Sequence, residues 1–334
     1  MSTTRSGAYT PSPSIRALMP DMAPVENKYM KMYKDNPEEC APTLRNLYRS
    51  RAPGAYNPEL CGMVGTLAEV MQDIVARKTR QPGRNWDVIV SSGLSDVYQE
   101  IITDEPFLVE NPVWMQGVLG GFTYMATLCN KRDDKALADR LVVANPAVLR
   151  ALWKGRRHIV DPQSTIQRLT SPGVFFRILS NLLDEFAELY SSRLAMPKWT
   201  EVPVVHLSYF CWFHSKEPCS NDKNNALNAL LIYAQSVDVD DRNALFKACA
   251  LDEYGIEECL LRIQSALKVQ EIVDDRLLLR MGLLEMLLYI PGTTQFVGKH
   301  KLFECFAEAG LRQRARGNPT YLWSILARVI SALQ

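Results

Sequence analysis

Histidine is scarce in this sequence, with four residues, at 158, 206, 214 and 300. A Ser or Cys nucleophile needs an imidazole base and an acid to orient it, and no Gly-x-Ser-x-Gly elbow accompanies these histidines. Neither a Gly-x-x-x-x-Gly-Lys-Ser/Thr loop nor a Gly-x-Gly-x-x-Gly turn occurs, so no phosphate cradle for a nucleotide is encoded. The sequence supplies no argument for an enzyme and implies no cofactor. Charge of one sign is also lacking: the formal net charge is +1, so no bulk field draws the chain to nucleic acid or to an anionic membrane. No apolar run reaches the roughly 18 residues that a membrane span requires, since Gly117 to Cys129 is short and Arg280 and Glu285 interrupt Leu277 to Ile290.

What is present is apolar residue at helical spacing. Hydrophobic residues make up 47% of the chain and charged ones 22%, which leaves enough apolar surface for a core. The eight cysteines are scattered, mostly inside apolar helical patterns, as expected of free buried thiols in a reducing compartment. The one Asn-x-Ser/Thr pattern, Asn318 to Thr320, is disqualified by Pro319. These features together suggest a cytoplasmic or nuclear protein.

The pattern is clearest from Trp86 to Asn130. Gly93 can take a positive φ without steric penalty and so can turn one helix into the next. Leu94, Val97, Tyr98, Ile101 and Ile102 then recur at steps of three and four. Asp104, Glu105 and Pro106 break that stripe, after which Asn111 is an N-cap candidate with Pro112 at the first helical position. Asn57 and Pro58 open a helix from Glu59 to Arg77 in the same way, and Asp134 to Val143 and Pro146 to Lys154 read as two further helices. Two more glycine junctions, Gly173 and Gly255, follow at intervals of 80 and 82 residues, about twice the roughly 40-residue period of HEAT and armadillo units, and Gly310 is a fourth, off the period.

The segments SSGLSDVYQEII, SPGVFFRILSNLL and EYGIEECLLRIQ resemble the glycine turn and third helix of armadillo repeats. The resemblance implies an all-α fold, an armadillo/HEAT-like α-solenoid in which stacked helices form a right-handed superhelix. Its repeat glycines would be Gly93, Gly173 and Gly255. It also implies a non-enzymatic scaffold that binds a protein or peptide segment on its concave face. The chain further resembles the helical region of fungal MYND-finger proteins, without the finger, because no pair of Cys-x-x-Cys steps occurs. Armadillo proteins that bind nuclear-localisation peptides carry an Asn four residues after a ladder Trp, and none of the six tryptophans here has one. Residues 1–23, rich in Ser, Thr and Pro, read as a disordered tail, and 24–334 as a single armadillo-like domain.

Two constellations remain. His206, Cys211, His214 and Cys219, separated by four, two and four residues, could close a tetrahedral zinc site and make the chain a small metal-dependent module. The competing reading, which the lack of glycine between Val202 and Asn225 favours, is a buried aromatic helix with no metal. Basic clusters lie at Arg45, Arg49 and Arg51, at Lys154, Arg156, Arg157 and His158, and at Arg312, Arg314 and Arg316. Lys154, Arg156 and Arg157 are the candidates for protein binding, against the alternative that they only offset helix C-terminal dipoles. The acidic pairs Asp133/Asp134, Asp240/Asp241 and Asp274/Asp275 read as helix caps.

Overall fold

A computed structural model describes residues 23–76, 83–132, 134–169, 172–193, 196–215, 221–248, 253–269 and 274–315. Among them no β-strand occurs and the regular elements are helical. The fold is all-α, and no helix among the described residues is long and apolar enough to cross a membrane. The expected tail lies almost wholly outside the described residues. The chain clusters into two compact units, Met1–Ile178 and Leu179–Gln334.

In the first unit α1 (Ala23–Asp35), α2 (Cys40–Arg49) and α3 (Pro58–Ala76) are followed by α4 (Arg84–Ser91), α5 (Leu94–Thr103), α6 (Pro112–Arg132) and α7 (Lys135–Lys154). Two short helices, α8 (Arg157–Val160) and α9 (Thr165–Leu169), lead to α10 (Pro172–Ser192), within which the units divide. Gly93 has φ 89° and starts α5, so its turn is the left-handed one that favours glycine. The α5 stripe is fully buried, from Leu94 at 0% exposure to Ile102 at 1%.

Two expectations are corrected here. The helices proposed on either side of Pro146 are one: α7 runs through it. A proline inside a helix removes a hydrogen bond and crowds the preceding turn, yet Leu141, Val148, Leu149 and Leu152 are all completely buried, and burial at roughly 1.5–3 kcal/mol per side chain outweighs that loss. Gly173 is the second residue of α10, so it lies within the helix and not in a turn before it.

Helices widely separated in sequence pack side by side in a regular way. In α3 and α6, Val64 meets Gly117 and Met71 meets Gly121. Residue numbers rise along both helices, so they run parallel. Similarly Arg45 of α2 bonds Glu100 of α5, and the Tyr48 hydroxyl donates to Asp104 just beyond α5. At the two ends of α7, Arg140 reaches the Val90 carbonyl and Lys154 reaches Glu105. Each partner lies about 50 residues from its mate.

The second unit holds α11 (Val204–His214), α12 (Asn221–Gln235), α13 (Val239–Phe246), α14 (Ile256–Leu267), α15 (Asp274–Leu288), α16 (Thr293–Lys299) and α17 (Leu302–Ala315). Asn225 donates to Asn181 and Asn228 to Asp184, which sets α12 parallel to α10 with an offset of 44 at both rungs. Tyr209 of α11 donates to Cys259 of α14, 50 residues on. The Arg312 guanidinium of α17 caps the Leu267 carbonyl at the end of α14, 45 residues back.

The junction expected at Gly310 is absent, since α17 continues through it with Phe306 and Ala309 buried on its inner face. Gly255 does hold a positive φ, 76°, and so does Gly292, which starts α16 and had no place in the glycine series.

Candidate functional site

The best organised polar region of the first unit is the edge where three loops meet. Each follows a helix of the series α2, α5, α7: residues 50–57, 104–111 with a single 3-10 turn at Phe107–Val109, and 155–164 with the short helix α8. The first two loops end the same way. Asn57 accepts from Leu60 N at 3.0 Å and Asn111 from Val113 N at 3.0 Å, each just before a proline that opens α3 or α6.

Glu110 ties these loops together. Its carboxylate, 1% exposed, accepts from Arg51 Nε and Nη2 at 3.1 and 2.7 Å and from the Gly54 amide at 2.7 Å. Gly54 turns with φ +72°, a conformation that suits glycine and aims its N–H at that carboxylate. The Arg51 guanidinium lies 3.6 Å over the Tyr48 ring, whose hydroxyl donates to Asp104. Burial, and then that bond, raise the Tyr48 phenol well above its ordinary range. From the third loop's side, Thr165 donates to the Glu110 carbonyl at 3.3 Å. Gly155 approaches so closely that a Cβ there would lie 2.5 Å from Leu108 Cδ1.

This geometry reassigns the basic clusters. Arg45 and Arg49, one helical turn apart, both grip Glu100 at 2.9 and 2.6 Å, and Arg51 is committed to Glu110. The first cluster is therefore internal cross-linking. In the second, Arg156 stacks 3.7 Å from the centre of its neighbour Trp153 and donates to that residue's carbonyl. Lys154 makes an exposed pair with Glu105, and Arg157 and His158 point to solvent. Lys154, Arg156 and Arg157 thus fall on one loop edge, with Arg157 the most available of the three. Of the third cluster, Arg312 caps α14, while Arg316 and the Arg314 side chain lie outside the described residues.

In the second unit His206, Cys211 and His214 share α11, and Cys219 lies outside the described residues. Their surroundings are aromatic. The His214 ring is 4.6 Å from Phe210, and Phe213 stacks on Tyr254 at 4.1 Å under the Arg262 guanidinium. Burial, with Arg262 nearby, lowers the His214 imidazole to about 4. Among the described residues no group of three His, Cys, Asp or Glu side chains could hold a metal ion. Burial also pushes the Cys40, Cys61 and Cys259 thiols up to about 12, which makes them poor nucleophiles.

Asp134 caps α7 by accepting from Leu137 N at 3.1 Å. Asp240 and Asp241 lie in the first turn of α13 behind the capping Asp238. Asp133 and the side chains of Asp274 and Asp275 lie outside the described residues. The residues that sequence reasoning passed over, Glu100 and Glu110, show no local signal. Their roles depend on arginines 51 to 59 positions away. No family model, curated protein or solved structure matches the chain.

Proposed function

We propose that the chain is a non-enzymatic scaffold of armadillo-like type, each unit a short α-solenoid that holds a protein or peptide segment. The observation that carries this reading is the recurrence of a sequence offset of 44 to 56 residues between packed helices. It is 55 and 56 residues for α2 and α5, 50 and 49 at the ends of α7, 44 for α10 and α12, and 50 for α11 and α14. A helix with one apolar stripe cannot cover it alone, and stacking copies at a similar interval is how helical repeats of about 40–47 residues bury theirs. The longer interval here is taken up by ordered loops such as 104–111.

The loop edge bearing Lys154, Arg156 and Arg157 is the contact surface in this reading, with Arg157 its most available cation. The test uses the wild-type chain and Arg157→Glu, both shown by thermal melting to be folded, as baits in an extract of cells that make the protein. A stoichiometric protein partner retained by the wild type and depleted at least about tenfold by the variant is expected, since hot-spot losses exceed about 1 kcal/mol. Equal recovery would remove the loop edge, and no retained partner would remove the scaffold.

A further inference from the structure

From Leu179 onward the packed helices form two interleaved series. In one, α10, α12 and α15 succeed each other: Asn225 bonds Asn181, 44 positions back, and a Cβ on Gly282 would lie 3.4 Å from Leu231 Cδ1, 51 positions back. In the other, α11, α14 and α17 succeed each other through Tyr209 with Cys259 and Leu267 with Arg312, at offsets of 50 and 45. The next member of the first series is due after α17. Moving the bounds of α15, Asp274 and Leu288, forward by the 45 residues of the latest step gives 319 and 333.

Residues 316–334 lie outside the described residues, but their sequence has the pattern that this place requires. Asn318-Pro319 repeats the Asn-Pro step that opens α3 and α6. Leu322, Ile325, Leu326, Val329, Ile330 and Leu333 then recur at steps that put them on one side of a helix, with Thr320, Ser324, Arg328 and Ser331 on the other. The described helices leave an apolar face for such a row. On α15 Leu279 and Met286, seven residues apart and so on one side, are only half-buried. On α17 Phe303 and Ala307 are half-buried, and Leu311, one turn further on, is 55% exposed.

We infer that residues 319–333 are the next helix of the first series, parallel to α15 and antiparallel to α17, with the row from Leu322 to Leu333 laid on the apolar face of those two helices. Its span matches α15, which also has 15 residues. The link at 316–318 is short, and short links join antiparallel neighbours. An apolar stripe of this kind is covered by stacking on the preceding helices. The inference rests on the stacking in the scaffold reading and not on the Arg157 edge.

The test is hydrogen exchange of the full chain, read at 322–333, in α15 and in α17, at two protein concentrations about a hundredfold apart. Two variants carry the same added charge: Leu326→Asp/Ile330→Asp on the apolar side of the segment and Ser324→Asp/Ser331→Asp on its polar side. The expected result is slow exchange at 322–333 in the wild type at both concentrations. The apolar-side variant should exchange at least about tenfold faster there and in α15 and α17, and the polar-side variant should match the wild type. Unprotected amides at 322–333 in the wild type would overturn the proposal, as would equal acceleration in the two variants. Protection that vanishes on dilution would assign the row to a second copy of the chain and also overturn it. The wild-type comparison decides even if the apolar-side variant fails to fold. Loss of Arg157-dependent partner recovery with this protection intact would remove the scaffold's contact edge alone, and the opposite pair of results would remove only the added helix.

Discussion

Asp184 shows how one side chain can work against the fold that contains it. It lies between α10 and α12, where Asn228 donates to it at 2.7 Å. Burial raises its carboxyl to about 7, the Asn228 bond pulls the other way, and Glu188 and Glu185 add to the rise. An acid whose folded value is raised binds its proton more tightly in the native state, so stability falls as pH climbs from the unfolded value near 4 to about 7 and is level above that. Asp184→Asn keeps the shape and can still accept from Asn228. Its melting temperature should exceed that of wild type at pH 8, and the gain should vanish at pH 4. A gain of equal size at both values would show that charge burial is not the cause. No sequence pattern marked this residue, because its environment is made by an asparagine 44 positions away.

Among the elements, helices were legible where one apolar stripe ran uninterrupted, as in α5, and were misread where punctuation and burial disagreed. Pro146 and Gly310 both looked like helix ends and both lie inside helices, since a backbone penalty of about 1–3 kcal/mol is smaller than the burial of several large side chains. The glycines 80 and 82 residues apart do not mark the repeat, since Gly173 lies inside α10. A better marker lay in the Asn-Pro steps at 57–58 and 111–112, 54 residues apart, which open the parallel helices α3 and α6. Those two helices meet where Gly117 leaves no room for a side chain: a Cβ there would overlap Val64 Cγ1, and valine cannot rotate away cheaply. Gly117→Ala should cost about 1–3 kcal/mol in chemical denaturation. Adding Val64→Ala should return part of that loss, whereas strictly additive losses would mean the two helices do not press together there.

At the scale of the molecule, the sequence conveyed helical class but not the division at Ile178 and Leu179, which falls inside α10 where no linker composition marks it. Nor could it show which arginines are spent internally, because Arg45, Arg49 and Arg51 resemble Arg156 and Arg157 until their acidic partners are in place. If packing is by stacked neighbours, stability is distributed as local interfaces, and damage at one is felt mainly by the helices that touch it. Hydrogen exchange of the full chain carrying Gly117→Ala measures this directly. The expected outcome is faster exchange in α3 and α6 and in α1, α2, α5 and α7, which pack on them, with amides from Leu179 onward unchanged. Loss of protection by one common factor in every described helix would contradict the stacked-repeat account.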